Sequence, residues 1–207
     1  MDDKSYWDRV AERYIAGKIA NVDAYAQTLR LAAAHLTPDM TGVEIGCGSG
    51  MTARRLSPSM GRLTATDISD GMIDHARRLH AEENGPANLD YAVATLDDLK
   101  DRQVDAVLAF NVLHLLPDRD AALARIHAML RPNGMLVSKT PCVGGAYQAM
   151  RAAIMPMQWL GKAPETLRYF TPAQLEASVR KAGFEILGTA TLPRRPPARF
   201  IAARRLG

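Results

Sequence analysis

Val43-Glu44-Ile45-Gly46-Cys47-Gly48-Ser49-Gly50 is an apolar run that carries one acid and then breaks into three alternate glycines. It reads as a buried strand entering a tight turn that opens a helix. Without Cβ atoms, glycines take positive φ and let a ligand approach bare backbone, so the turn reads as the floor of a cofactor site. About twenty residues on, Leu63 to Ile68 forms a second strand-like run with Asp67 near its end, a spacing that suits an acid gripping a ribose diol. A dinucleotide fingerprint needs glycine at its first, third and sixth positions, so that a pyrophosphate lies on the helix N-terminus. Here the sixth position is Met51. The negative charge of Glu44 is badly placed beside a pyrophosphate and well placed beside an ammonium. The expected ligand carries a ribose and a cationic amino group.

Outward from this turn, strand candidates at 42–46, 62–67, 89–93, 104–110 and 134–140 alternate with helical stretches. That alternation predicts a mainly parallel sheet covered on both faces. Asp70 followed by Met72, Ile73, Ala76 and Leu79 suits the second crossover helix, and residues 118–130 suit the fourth. Pro132-Asn133-Gly134 supplies a turn into the next strand. Residues 5–36 read as helices, with Tyr6, Trp7, Val10 and Tyr14 near one face, forming a lid or platform before the core.

From Pro141 to Pro164 the pattern breaks, with Gly144, Gly145, Met150, Ile154, Met155, Met157, Trp159 and Leu160 among few charges. A structureless loop of that length is unusual, so one or two short helices over the cleft are expected. Thr171-Pro172-Ala173-Gln174 starts a helix with threonine as cap and proline at its first position. Two strands near 184–191 and 198–205 close the sequence as a hairpin.

With these motifs in order, the chain resembles the class I S-adenosylmethionine-dependent methyltransferases, in particular the small-molecule, quinone-biosynthesis-like (type 11) branch. The resemblance runs from Trp7 to about Phe184. It includes the glycine turn, Asp67-Ile68-Ser69-Asp70-Gly71-Met72, Asp97-Asp98-Leu99, Phe110-Asn111-Val112-Leu113-His114, Leu130-Arg131-Pro132-Asn133-Gly134, and Tyr169-Phe170-Thr171 through Ala182-Gly183-Phe184. It implies an α/β fold: a Rossmann-like three-layer sandwich, its sheet seven-stranded and mainly parallel with an antiparallel C-terminal strand, under an N-terminal helical lid.

The resemblance also assigns roles. Glu44 and the backbone of Gly46, Cys47 and Gly48 would hold the methionine moiety of S-adenosylmethionine, and Asp67 the ribose hydroxyls. Ile68 and Met72 would flank the adenine. The backbone near Asn111 would meet the amino group, and Tyr14 would reach the carboxylate. Where many relatives have an acid for the adenine amino group, this chain has Thr95 followed by Leu96, with Asp97 as the alternative two residues on.

The 207 residues suit one domain with appendages: helices at 1–38, a cofactor-binding core at 39–140, a lid or substrate insertion at 141–170, and a closing helix and strands at 171–207. No apolar run approaches the length of a membrane span, and the acidic start does not resemble a cleavable signal, so a cytoplasmic protein is expected. Cys47 and Cys142 lack metal spacing and read as unpaired thiols. The net charge of +4 is concentrated at the end: five of the 26 basic residues are arginines among the last fourteen positions, against 22 acids elsewhere. Such a tail suits either a solvated sheet edge or peripheral contact with an anionic partner such as lipid. No nucleic-acid partner is expected, because Asn111-Val112-Leu113-His114 lacks the Pro-Pro-aromatic pattern of enzymes that methylate base amino groups.

The expected activity moves a methyl to oxygen, nitrogen or carbon of a small, apolar-bodied acceptor and leaves S-adenosylhomocysteine. His114, beyond the fourth strand, is the candidate base, with cleft lining as its alternative role. Tyr147, Arg168 and Tyr169 are candidates to orient a polar acceptor head, and Met150 and Trp159 to line an apolar pocket. No metal set is expected. Two other readings stand beside this one: a non-catalytic S-adenosylmethionine-binding partner protein, and a nicotinamide-dependent oxidoreductase.

Overall fold

The structure, a computed structural model, describes residues 3–145, 149–160 and 162–207, the side chains of 149–153 excepted. Seven strands form one sheet in the order β3-β2-β1-β4-β5-β7-β6. They are β1 (Thr41–Ile45), β2 (Arg62–Asp67), β3 (Leu89–Val93), β4 (Val104–Phe110), β5 (Leu130–Pro141), β6 (Phe184–Arg194) and β7 (Pro197–Arg205). The first five strands run parallel, and β7 lies antiparallel to both its neighbours. The predicted strands and the antiparallel C-terminal strand are all present. The strand order reverses between β1 and β4, and open α/β sheets bind ligands at the carboxyl ends beside such a switch point.

Helices cover both faces because the sheet is apolar on both. The first face carries α2 (Val22–Ala33), α3 (Met51–Leu56) and α4 (Asp70–Glu82), whose Ala32, Ala53, Leu56, Ile73 and Ala76 bury against Leu63, Ala65, Leu108 and Val137. The other carries α5 (Arg119–Met129) and α7 (Pro172–Lys181), which bury Leu123, Ile126, Leu175 and Val179 against Val43, Val107, Leu136 and Ile201. Along β4, Val-Asp-Ala-Val-Leu-Ala-Phe gives nearly unbroken burial, as expected of a central strand wedged between two helical layers. The N-terminal helix α1 (Asp3–Ile15) packs on α4, and α6 (Ala149–Trp159) is the helix expected within the 141–164 segment.

Pro132-Asn133-Gly134 does not separate a helix from a strand. β5 already begins at Leu130, which pairs with Val104, and its next partnership is Met135 with Ala106, so the motif bulges within the strand. Asn133 takes φ 63° to make that bulge.

The arginine tail is largely structural. Arg199 pairs with Glu176 of α7, Arg204 with Glu185 directly opposite it on β6, and Arg205 donates to the Leu130 carbonyl. Three of the five tail arginines are thus held by partners on α7, β6 and β5, on a strand flanked on both sides rather than on a solvated edge.

At the start of α7 the Thr171 hydroxyl accepts from Gln174 N–H at 3.3 Å, and the Gln174 side chain accepts from Thr171 N–H at 2.9 Å. This reciprocal box satisfies two backbone donors that the helix itself leaves open. Thr171→Ala should lower unfolding free energy by about 1 kcal/mol in urea denaturation; an unchanged midpoint would deny the box that role.

Candidate active site

A cavity of about 1410 Å³ opens at the carboxyl edge of the sheet, over β1, β2, β4 and β5. Ligand pockets run roughly 300–1,000 Å³, so this one has room for more than a single small ligand. Its floor is the glycine turn. Gly46, Gly48 and Gly50 all take positive φ, at 62°, 54° and 73°. A Cβ at Gly46 would also come within 2.5 Å of the Val112 side chain, so only glycine fits that bend. The Tyr14 ring of α1 lies over Gly48 and encloses the turn from above.

Asp67 ties the turn to β2. One carboxylate oxygen accepts from Gly48 N–H at 2.8 Å, and the other accepts from Ser69 N–H at 3.0 Å. Ile68 N–H also acts on this carboxylate, which lines the cavity and, with about four lone-pair sites, keeps acceptor capacity. Burial raises its pKa above 3.8, while the backbone donors act to lower it.

Glu44 sits on β1 between Ala65 and Leu108, facing the α2–α3–α4 side of the sheet. It is 1% exposed, it lines the cavity, and its Oε2 has no hydrogen-bond partner. Burial first, and the charge of Asp67 second, push its pKa from 4.5 up to about 8. Its carboxyl is therefore mostly protonated at neutral pH. A cationic group brought into the cavity would stabilise the ionised form.

Along the same edge lie the remaining sequence-derived candidates. Cys47, Ile68, Met72, Thr95, Leu96, Asn111 and His114 all line the cavity with Tyr14, Glu44, Gly46, Gly48 and Asp67. Asn111 is held at φ 56° while its N–H donates to the Lys139 carbonyl at 2.7 Å. Thr95 is tied down locally, its hydroxyl donating to Asp98 at 2.6 Å, and Asp97 pairs with Arg125 at 2.5 Å. Cys47 is buried with its thiol pKa raised, first by burial and then by Glu44 and Asp67, so it is an inert thiol rather than a nucleophile.

His114 lies in a short 3₁₀ turn (Leu113–Leu115), and its carbonyl accepts from Arg168 N–H at 2.7 Å. Its Nδ1 is buried without a partner, and burial lowers its pKa from 6.5 to about 4. The imidazole is neutral at pH 7.

The acceptor end differs from expectation. Trp159 is 94% exposed, and Trp159, Arg168 and Tyr169 are all absent from the cavity wall. The Arg168 guanidinium instead donates to the Pro117 carbonyl at 2.6 Å, where it ties down the loop after the His114 turn. Tyr147 lies outside the described residues, as does the side chain of Met150. The wall there is built from Leu115, Leu116, Ile154, Met157 and Leu167, and by Lys139 and Pro141 at the end of β5. The described part of the 141–164 segment lines the cavity without filling it. Lys139 was not among the candidates drawn from the sequence; its signal is that it alone is charged in the run 135–140 near the end of β5.

Hydrogen bonds fasten the lid to α4 and to the segment before α7. The Asp8 carboxylate of α1 accepts from the Ser69 hydroxyl at 2.6 Å, and Asp3 accepts from Thr166 N–H at 3.2 Å. Among the described residues no group of three His, Cys, Asp or Glu is placed to hold a metal, and no helix is long and apolar enough to cross a membrane.

Comparison with known proteins gives this geometry a family. The model of the methyltransferase domain matches residues 43–136, from the glycine turn to β5. A ubiquinone biosynthesis O-methyltransferase of Azorhizobium caulinodans is 32% identical over 149 residues, which is 70% of this chain and 58% of that protein. A second protein of that name, from Xanthomonas axonopodis, is 28% identical over 76% of this chain and 68% of its own length. The chain thus spans little more than half of the first of these relatives. Among solved structures, magnesium protoporphyrin IX methyltransferase from Synechocystis, with SAH bound, superposes with a TM-score of 0.75 at 18% identity, covering 98% of this chain and 97% of that one. The superposition shows the Rossmann-like methyltransferase fold, and residues 43–136 match the methyltransferase domain, in keeping with the resemblance to the class I S-adenosylmethionine-dependent enzymes.

The Glu44 and His114 shifts have opposite signs. With its folded pKa near 8, above the ordinary 4.5, Glu44 contributes stability that is full below about pH 4.5 and lost as pH rises through 8. His114, at about 4 against 6.5, contributes stability present above about pH 6.5 and lost as pH falls through 4. Glu44→Gln removes the alkaline loss alone. In thermal melts without ligand, the variant's advantage over wild type should grow by about 3 °C or more between pH 5 and pH 8. A gap that stays constant with pH would contradict the buried, protonated carboxyl.

Proposed function

We propose that the cavity binds S-adenosylmethionine beside an apolar-bodied small molecule and transfers the methyl to an oxygen of that acceptor. The observation that carries this reading is Glu44: a buried carboxyl with an unpartnered oxygen on the wall of a glycine-floored cavity, with Asp67 one strand away. This donor set fits a ligand with an ammonium at one end and a ribose diol near its middle. Glu44 would take the ammonium, the free lone pairs of Asp67 the diol, and Ile68 and Met72 the faces of the adenine. Tyr14 would close over the methionine end. When bound, the cofactor supplies a methyl already activated on a sulfonium.

The protein's own work is then positioning and exclusion of water. The lid aromatics Trp7 and Tyr14 and the apolar wall at Leu115, Ile154 and Leu167 screen the reaction space from solvent. His114 would face the acceptor. Held neutral, it offers a ring nitrogen lone pair to an acceptor hydroxyl, and its low basicity suits a hydrogen-bond acceptor better than a proton store. The relatives named as O-methyltransferases favour oxygen among the three possible acceptor atoms.

Two experiments test the reading. A metabolite extract incubated with protein and methyl-labelled cofactor should yield a labelled product identifiable by mass; an extract left unlabelled would favour a binding protein without chemistry. Calorimetry with S-adenosylhomocysteine should show Asp67→Ala weakening affinity tenfold or more, while His114→Gln leaves affinity within about threefold and lowers turnover about 10- to 100-fold. Unchanged affinity in Asp67→Ala would remove the diol contact, and unchanged turnover in His114→Gln would leave that histidine a lining residue.

A further inference from the structure

Across the carboxyl edge of the sheet the polar groups come in a fixed order: Asp67 on β2, Glu44 on β1, Asn111 after β4, and Lys139 on β5. Glu44 pairs in register with Leu108, Leu108 with Val137, and Lys139 lies two residues beyond Val137. Side chains two apart on a strand share a face, so Glu44 and Lys139 project from the same face of the sheet. Strand spacing of about 4.8 Å and a rise of about 3.3 Å per residue put their Cα atoms about 12 Å apart.

Lys139 is the counterpart of Glu44 in sign. It is half-buried, it lines the cavity, and its ammonium has no hydrogen-bond or ion-pair partner among the described residues. Burial lowers its pKa below 10.5, the mark of a cation without a counter-charge. The other cations of the wall differ. Arg13 and Lys18 reach it from exposed positions on and just after the lid helix, and Arg125 is already paired with Asp97. The nearest strand neighbours of Lys139 are Phe110 and Phe200, and its surroundings at the cavity wall include Pro141 and the neutral His114. The wall's carboxylates Asp3, Glu44, Asp67, Asp97 and Asp118 all stand on other elements.

Granting the cofactor reading above, a ligand whose diol meets Asp67 and whose ammonium meets Glu44 leaves β5 to the second molecule. We propose that Lys139 holds an oxyanion of the acceptor, and that the acceptor is therefore a weakly acidic hydroxyl compound, a phenol or an enol, bound as its anion. On binding, the O–H, first hydrogen-bonded to the His114 ring nitrogen, breaks; its electron pair stays on oxygen, and the proton passes by way of that nitrogen to water. An ammonium within about 4–6 Å lowers the pKa of such a hydroxyl by about 1–3 units, and the anion is the better nucleophile for a methyl.

The test uses 4-nitrophenol, whose phenolate is read directly by its absorbance, and full-length protein saturated with S-adenosylhomocysteine. Wild type should lower the apparent pKa of the bound probe by about one unit or more. Lys139→Met should abolish that shift and Lys139→Arg should retain it, with S-adenosylhomocysteine affinity within about threefold in all three proteins. No shift in wild type, or a shift that survives in Lys139→Met, overturns the assignment. A tenfold loss of S-adenosylhomocysteine affinity in Lys139→Met overturns it in favour of the cofactor's own carboxylate as the anion. Wild type that fails to bind S-adenosylhomocysteine at all defeats the cofactor reading and this assignment with it.

Discussion

A carboxyl group buried in the middle of a parallel sheet without a partner is costly, and in this protein the rest of the site is arranged around one. Glu44 lies on β1, one of the two strands that flank the switch point, with an oxygen that bonds nothing. Leaving a buried acceptor unpaired costs on the order of 1–3 kcal/mol, and an isolated buried charge costs far more. The chain escapes the larger cost by keeping Glu44 protonated, which leaves an unpartnered oxygen on the cavity wall for the proposed ammonium. Apolar β1 neighbours that stabilise the sheet are thus also what tunes the acid.

The other acid of the site is handled in the opposite way. Asp67 is also pushed up by burial, yet backbone N–H groups of the glycine turn, Ile68 and Ser69 act to lower it. Ser69 in turn caps α4 through Met72 N–H and donates its hydroxyl to Asp8 of the lid. A short chain of hydrogen bonds therefore links the floor of the cavity, Asp67, the start of α4 and the lid helix. Lys4 extends it by pairing with both Asp8 and Asp70. Two acids near one ligand thus have separate tasks: one is pinned and shapes the turn, and the other is left free.

The sheet and the cofactor end were legible in the sequence because both rest on local signals. Apolar runs bounded by glycine, proline and asparagine mark each parallel strand, and Ser69, Asp118 and Thr171 cap the helices that follow. Glu44, the glycines and Asp67 are spaced by the geometry of a single βαβ unit, so their meeting is a short-range matter. The acceptor end depends on long-range packing instead. Trp159 was a reasonable pocket candidate by composition, but α6 turns Ile154 and Met157 toward the cavity and leaves Trp159 outside. Arg168 serves the loop after the His114 turn, and the C-terminal arginines find Glu176 and Glu185 only once β7 pairs with its neighbours. Lys139 was hidden because a strand's period says which face a residue takes, and not whether an anion is missing there.

The central claim is that Glu44 waits, protonated, for a cationic ligand, and proton linkage measures it most directly. Calorimetric titration of the protein with S-adenosylhomocysteine at pH 7, in buffers of different ionisation enthalpy, counts the protons exchanged per ligand bound. A folded pKa near 8 predicts release of close to one proton by the wild type and almost none by Glu44→Gln. Binding with no proton exchange in the wild type, or with proton uptake, would contradict the account.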